Sequence, residues 1–254
     1  MKASVFATRN HKEIVRDPLT LLFGMGLPML LMWLFSVMQK NMPFALYEIS
    51  NLTPGVIVFS FSFLTLLSGM LLGKDKSSSF LMRIFASPMS ASDYILGYVL
   101  PLLPIALLQI IFCLFAAIFL GLSLNISVLL MVGVLIVISL LYIGFGLLLG
   151  TIFTDKQVGG IFAIFVNLST WFSGTWFEPD MIGGTFQSIT QFLPFVHAVN
   201  AARAVLSGAY SDVFVPLSIV LGYTVFIFMI AILLFQRKIR GQSQNLTSFS
   251  KCHL

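Results

Sequence analysis

The stretch "ILGYVLPLLPIALLQIIFCLFAAIFLGLSLNISVLLMVGVLIVISLLYIGFGLLLG", Ile95 to Gly150, contains no Asp, Glu, Lys or Arg. A helix of about 20 apolar residues spans the hydrocarbon core of a bilayer. Two such runs fit here, Ile95–Leu120 and Ile126–Gly150, with only "GLSLN" (Gly121 to Asn125) between them. A connection that short returns the chain antiparallel, so the stretch reads as a membrane hairpin. Four more apolar runs follow the same rule: Leu19–Met38, Thr53–Gly73, Val158–Trp176 and Val213–Phe235. The sequence predicts an all-α polytopic membrane protein with six transmembrane helices.

Composition agrees. Of 254 residues, 58% are hydrophobic and 9% charged, at a mean hydropathy of +1.01. A soluble domain carries about 25% charge, so this chain cannot cover a water-facing surface. Two cysteines, Cys113 and Cys252, supply neither a disulfide framework nor a metal spacing. The start, "MKASVFATRNHKEIVRDP", is too polar and too long for a signal peptide.

Where the cations stand matters more than the net charge of +5. Lys2, Arg9, Lys12 and Arg16 precede the first run, and Lys74, Lys76 and Arg83 follow the second. Lys156 follows the fourth, and Arg237, Lys238, Arg240 and Lys251 follow the sixth. The other side holds only Lys40 and Arg203, with acidic Glu48, Glu178, Asp180 and Asp212. Twelve basic residues against two put both termini in the cytoplasm. Their location at the ends of apolar runs also argues against nucleic acid as the reason for the positive charge. The chain divides into a segment 1–18, a membrane domain 19–236 and a basic tail 237–254. Loop 74–93 lies on the cytoplasmic side and segment 177–212 on the outer side.

Segment 177–212 is too interrupted to cross twice and too apolar for a free loop, with breaks at Pro179, Gly183, Gly184 and Pro194. Two short helices dipping into the outer leaflet account for it, provided that protein or water covers the irregular backbone. In "GFGLLLG", Gly144, Gly146 and Gly150 allow close helix approach.

The search for catalytic chemistry is negative. "GMLLGKD" (Gly69 to Asp75) has one residue too few between its glycines for a phosphate loop, and Asp75 stands where Ser or Thr would hold magnesium. His11, His197 and His253 are scattered. No ionisable residue stands in the middle of a run, which argues against a proton- or sodium-driven transporter. Neutral polar residues do form stripes: Ser62, Thr65 and Gly69 on the second run, and Asn167, Thr170, Ser173 and Gly174 on the fifth. They serve either as hydrogen-bonding glue between helices or as a weakly polar path for an amphipathic cargo.

Loop 74–93 contains "SSSFLMRIFASPMS". Ser77 to Ser79 can cap a helix, and Pro88 ends it through its effect on Ser87. Phe80, Leu81, Ile84 and Phe85 then share a face, with Arg83 to the side. A short cytoplasmic helix with an apolar face suits a lipid surface or a partner's groove equally.

These residues resemble the loop of type-2 ATP-binding-cassette (ABC) export permeases, D-R-x-x-G-F-L-x-R-L-x-x-S/T-P-x-S followed by an aliphatic LG-K/R ending. Asp75, Lys76, Phe80, Leu81, Arg83, Ser87, Pro88, Ser90, Leu96 and Gly97 match. Ser79 replaces the usual Gly, Ser77 an acidic residue and Tyr98 the final base. Arg16-Asp17-Pro18 resembles the entry from the family's N-terminal interfacial helix. "FSGTWFEP" and then Leu193, Pro194, Ala198, Arg203 and Gly208 resemble its outer re-entrant segment, in which Glu178 and Pro179 stand at the start.

The resemblance implies the membrane subunit of an exporter in a bacterial cytoplasmic membrane. Phe80, Leu81, Arg83, Ile84, Phe85 and Pro88 would form the helix that couples it to a separate cytoplasmic ABC ATPase. ATP and magnesium would bind that partner and no cofactor would bind this chain. A second permease copy or a sister permease would complete the assembly, and Ser62, Thr65, Asn167, Thr170 and Ser173 would border the path of a drug, antibiotic, peptide or lipid-like cargo. Arg83 would serve in docking or as an anchor to lipid phosphate. A different reading of the same loop is a non-transporting scaffold or sensor that binds a cytoplasmic protein.

Overall fold

The computed structural model describes residues 2–40, 47–77, 91–177 and 179–251, and among these every regular element is a helix. In order they are α1 (Lys2–Val15), α2 (Pro18–Gln39), α3 (Ile49–Ser60), α4 (Ser62–Ser77), α5 (Ala91–Phe119), α6 (Ile126–Ile152) and α7 (Asp155–Trp171). Then come α8 (Pro179–Ile182), α9 (Gly184–Phe192), α10 (Pro194–Leu206), a 3₁₀ turn (Tyr210–Val213) and α11 (Phe214–Lys251).

Local chemistry sets the boundaries. Asp17 caps α2, accepting from Thr20 N at 3.3 Å and Thr20 Oγ1 at 2.9 Å, and Pro18 occupies the first helical position, where its missing N–H costs nothing. The hairpin forms as expected: Leu122 N donates to Ala117 O at 2.9 Å, closing α5, and Asn125 caps α6 through Val128 N at 3.1 Å. The second run is two helices, since the repeat breaks at Phe61 between α3 and α4.

Among the described residues, five segments are long and apolar enough to cross a membrane: 18–39, 49–77, 92–119, 126–152 and 210–237. The remaining expected run, Val158–Trp176, forms a shorter helix. α7 stops at Trp171 after 17 residues, about 26 Å at 1.5 Å per residue, and Phe172–Gly174 turn away. Ser173 and Gly174 therefore stand outside the helix whose stripe they were expected to continue. Segment 177–212 likewise holds three α-helical pieces rather than two, because Gly183 and Gly184, with φ of +67° and +57°, separate α8 from α9 in a conformation that other residues rarely adopt.

α4 is the central helix. It runs parallel to α6, with Thr65 beside Tyr142 and Lys76 beside Gly150. It runs antiparallel to α7, with Ser62 beside Ser169 and Gly69 beside Val158. The α4–α6 crossing is made by glycines. A Cβ on Gly146 would lie 1.8 Å from Ser68 Oγ and 2.3 Å from Thr65 O, and one on Gly150 would lie 2.6 Å from Gly69 O. The backbones thus touch, as small residues at a membrane helix interface permit. α5 carries α1 across its first turns, and α10 wedges between α3, α6 and α11.

Candidate functional site at the basic end of the bundle

Loop 78–90 leaves after Ser77 and returns at Ala91; Phe80, Leu81, Arg83, Ile84, Phe85 and Pro88 lie outside the described residues. What is described is the ground on which that loop stands. Asp75, 1% exposed, is the last carboxylate before the loop. A buried carboxylate needs partners, and two of those it has come from different helices. Arg9 Nη1 of α1 donates to Asp75 Oδ2 at 2.6 Å, and Tyr98 Oη of α5 donates to the same oxygen at 2.8 Å.

Arg9 also pairs with Glu13 at 2.7 Å and donates to Asn10 Oδ1 at 2.9 Å, while Asn10 Nδ2 donates to the carbonyl of Gly97 at 3.0 Å. Burial alone would lower the Arg9 pKa, but the hydrogen bond and charge of Asp75 outweigh it and raise the value, so the guanidinium stays charged. Phe6 packs edge-on to Tyr94 and Tyr98, with ring centroids 5.8 and 5.0 Å apart. Tyr94 in turn meets Phe235 of α11 at 5.7 Å.

Lys76 points the other way. Its Nζ donates to Gly150 O and Thr151 O, both at 3.2 Å, and to Phe153 O. These are the carbonyls left open at the end of α6, where a cation also complements the helix dipole. Two consecutive residues, Asp75 and Lys76, thus fasten the end of α4 to α1, α5 and α6.

The expected path residues are placed as follows. Ser62 is buried, its Oγ 3.5 Å from Ser169 Oγ. Thr65 is buried and donates to Tyr142 O at 2.8 Å. Thr170 donates to Val166 O within its own helix, and Asn167, exposed on α7, donates to Ala163 O at 2.7 Å. Ser173, buried in the turn, contacts Thr170 O and Thr175 Oγ1 at 2.8 and 2.7 Å. Ser62 and Thr65 are brought together on α4; Asn167 faces outward, away from them.

At the opposite end, Arg203 Nε donates to Asn51 O and Nη2 to Gly174 O, both at 3.1 Å, tying α10 to the start of α3 and the turn after α7. Pro194 begins α10 and is buried; Pro179 begins α8 beside Gly174. Glu178 lies outside the described residues. Among those described, no group of His, Cys, Asp and Glu could hold a metal ion.

Sequence reading did not find the Arg9–Asp75–Tyr98 cluster. Asp75 was visible as a family match and Arg9 as a topology charge, while Tyr98 was visible only as a departure from the pattern. The available signal was a lone carboxylate at the end of an apolar run, which must find a partner.

A sequence profile described as ABC-2 type transporter matches residues 2–207. "ABC transporter G family member 20" of Dictyostelium discoideum is 29% identical over 213 residues, covering 80% of this chain and 28% of that protein. Two proteins named "Putative transport permease ycf38" are similar along most of their length. That of Pyropia yezoensis is 30% identical, covering 79% of this chain and 72% of the relative. That of Cyanophora paradoxa is 27% identical, covering 80% and 73%. The chain spans little more than a quarter of the Dictyostelium protein and nearly three quarters of the other two. With the profile running from α1 through α10, the chain belongs to the ABC-2 type transporter family and is a multi-pass membrane permease of that family.

Proposed function

We propose that this permease is the membrane subunit of an ATP-driven exporter whose engine is a separate cytoplasmic ABC ATPase. ATP and Mg²⁺ would bind that partner. Loop 74–93 takes the closing motion of the ATPase through Phe80, Leu81, Ile84 and Phe85, with Arg83 beside them and Pro88 ending the element. The observation that carries this reading is the double fastening of Asp75 and Lys76. A loop that receives force must be rooted in the spans it moves, and this one starts where α1, α4, α5 and α6 are joined.

On this reading α7 crosses the membrane as the sixth span, both termini are cytoplasmic, and a second permease copy or sister permease completes the pathway. The antiparallel run of α7 along α4 supports the six-span count. The cargo class is amphipathic, in keeping with spans whose middles carry only neutral polar groups, and Ser62, Thr65, Asn167, Thr170 and Ser173 are the candidate path residues. Glu178, Pro179, Pro194 and Arg203 belong to the outer re-entrant segment that closes the far end.

The test is ATP hydrolysis by the partner ATPase co-purified with the permease. Leu81→Glu and Phe85→Glu each place a charge on the docking face and should remove most permease-dependent stimulation without changing membrane insertion. Stimulation at the wild-type level in both variants would mean that force enters elsewhere.

A further inference from the structure

Between α1, the start of α2 and the end of α4 lies an open cleft of about 920 Å³. Its charged lining is Arg9, Lys12, Glu13, Arg16, Asp17 and Lys74, four cations against two carboxylates. Both carboxylates are engaged. Glu13 accepts from Arg9 at 2.7 Å, and Asp17 caps α2 through Thr20. Lys12, Arg16 and Lys74 are exposed, and among the described residues none of the three has a carboxylate within ion-pair distance. The cleft therefore carries net positive charge, supplied from the α1 side and from the end of α4.

The chain on either side of Arg16 and Asp17 is apolar and exposed. Val15 closes α1, and Leu19, Leu22 and Phe23 share one face of the first turns of α2. All four are strongly exposed, with Leu19 and Leu22 each 66% accessible. Leu19 begins two residues after Asp17, at the rim of the cleft. A free anion would use the cations and leave this apolar surface uncovered. An acidic protein segment would have to cover a surface made for hydrocarbon. A ligand with a phosphate at one end and acyl chains at the other satisfies both surfaces.

We infer that this cleft binds an anionic phospholipid, its headgroup phosphate held by Lys12, Arg16 and Lys74 and its acyl chains laid against Leu19, Leu22 and Phe23. Clustered Lys and Arg at a membrane surface attract anionic lipid through charge, and each cation contributes severalfold in affinity.

The experiment uses the full-length permease purified in a neutral detergent, with bound lipid counted by native mass spectrometry. Phosphatidylglycerol is titrated against phosphatidylcholine of the same chain length. Wild type should retain phosphatidylglycerol selectively, and the triple variant Lys12→Gln/Arg16→Gln/Lys74→Gln should lose that selectivity by roughly tenfold or more. The charge-keeping variant Lys12→Arg/Arg16→Lys/Lys74→Arg should keep it. Equal retention of the two lipids by wild type overturns the proposal, independently of how any variant folds. So does undiminished selectivity in the triple variant. Displacement of phosphatidylglycerol by inorganic phosphate at matched concentration would make this a site for free phosphate. Loss of ATPase association in the triple variant, with lipid selectivity intact, would assign the cations to a protein partner instead.

Discussion

Asp75 ends an apolar helix with a charge that water barely reaches, and its donors Arg9 and Tyr98 come from two other helices. Asp75→Asn removes the charge and takes from Arg9 its most buried carboxylate partner. Arg9 is about one third exposed, which tempers the loss, so the expected destabilisation is about 2 kcal/mol, read as a lower melting temperature in detergent. Tyr98→Phe should cost about 1 kcal/mol. In a double-mutant cycle, Arg9→Gln with Asp75→Asn should cost clearly less than the two singles added, because both singles break the same ion pair. Additivity to within about 0.5 kcal/mol would show that the pair does not couple. At this scale the sequence was only partly legible. The charges at span ends could be seen, but the pairing of residues 9 and 75 depends on α1 lying across α5, and no local pattern encodes that packing.

Helix contact in this bundle depends on what is missing from it. Alanine at Gly146 would put a Cβ 2.3 Å from the backbone oxygen of Thr65, which cannot rotate away as Ser68 Oγ can. Gly146→Ala should therefore push α4 and α6 apart at a cost of about 1–3 kcal/mol. The matched control is Gly133→Ala on the same helix, where a Cβ would meet nothing within 4 Å. That change should be neutral or stabilising by up to about 1 kcal/mol through helix propensity. Equal melting temperatures for the two variants would refute the close-contact argument. The glycines of "GFGLLLG" were legible as a packing device, whereas their counterpart Gly69 looked like one member of a polar stripe. The end of α7 was not legible, because Ser173 and Gly174 extend the small and polar stripe of the helix while the backbone turns at Gly174, where φ is +71°.

For the molecule as a whole, the number of crossings is the quantity most open to measurement. With Cys113 and Cys252 replaced by Ser, single cysteines report sidedness to a membrane-impermeant maleimide. Lys12→Cys, Lys156→Cys and Arg237→Cys should label only from the cytoplasmic face, and Ser123→Cys and Ser211→Cys only from the outer face. If α7 failed to cross, Lys156→Cys and Ser211→Cys would label from one side. The helical class and the order of spans were legible because lipid allows few alternatives: apolar runs, turns and basic flanks leave little freedom. How segment 177–212 seats itself was not legible, since Arg203 finds acceptors at Asn51 and Gly174, which only the assembled fold brings near.

The bare crossing of α4 over α6 has a mechanical consequence. Most packed helices are separated by side chains that can change rotamer and so absorb a small displacement. Here carbonyl oxygens rest against glycine Cα atoms, and Lys76 ties the neighbouring ends together. The pair has almost no slack, so it should act as one stiff strut, delivering at the Ile126 end whatever shift is applied at Ser77.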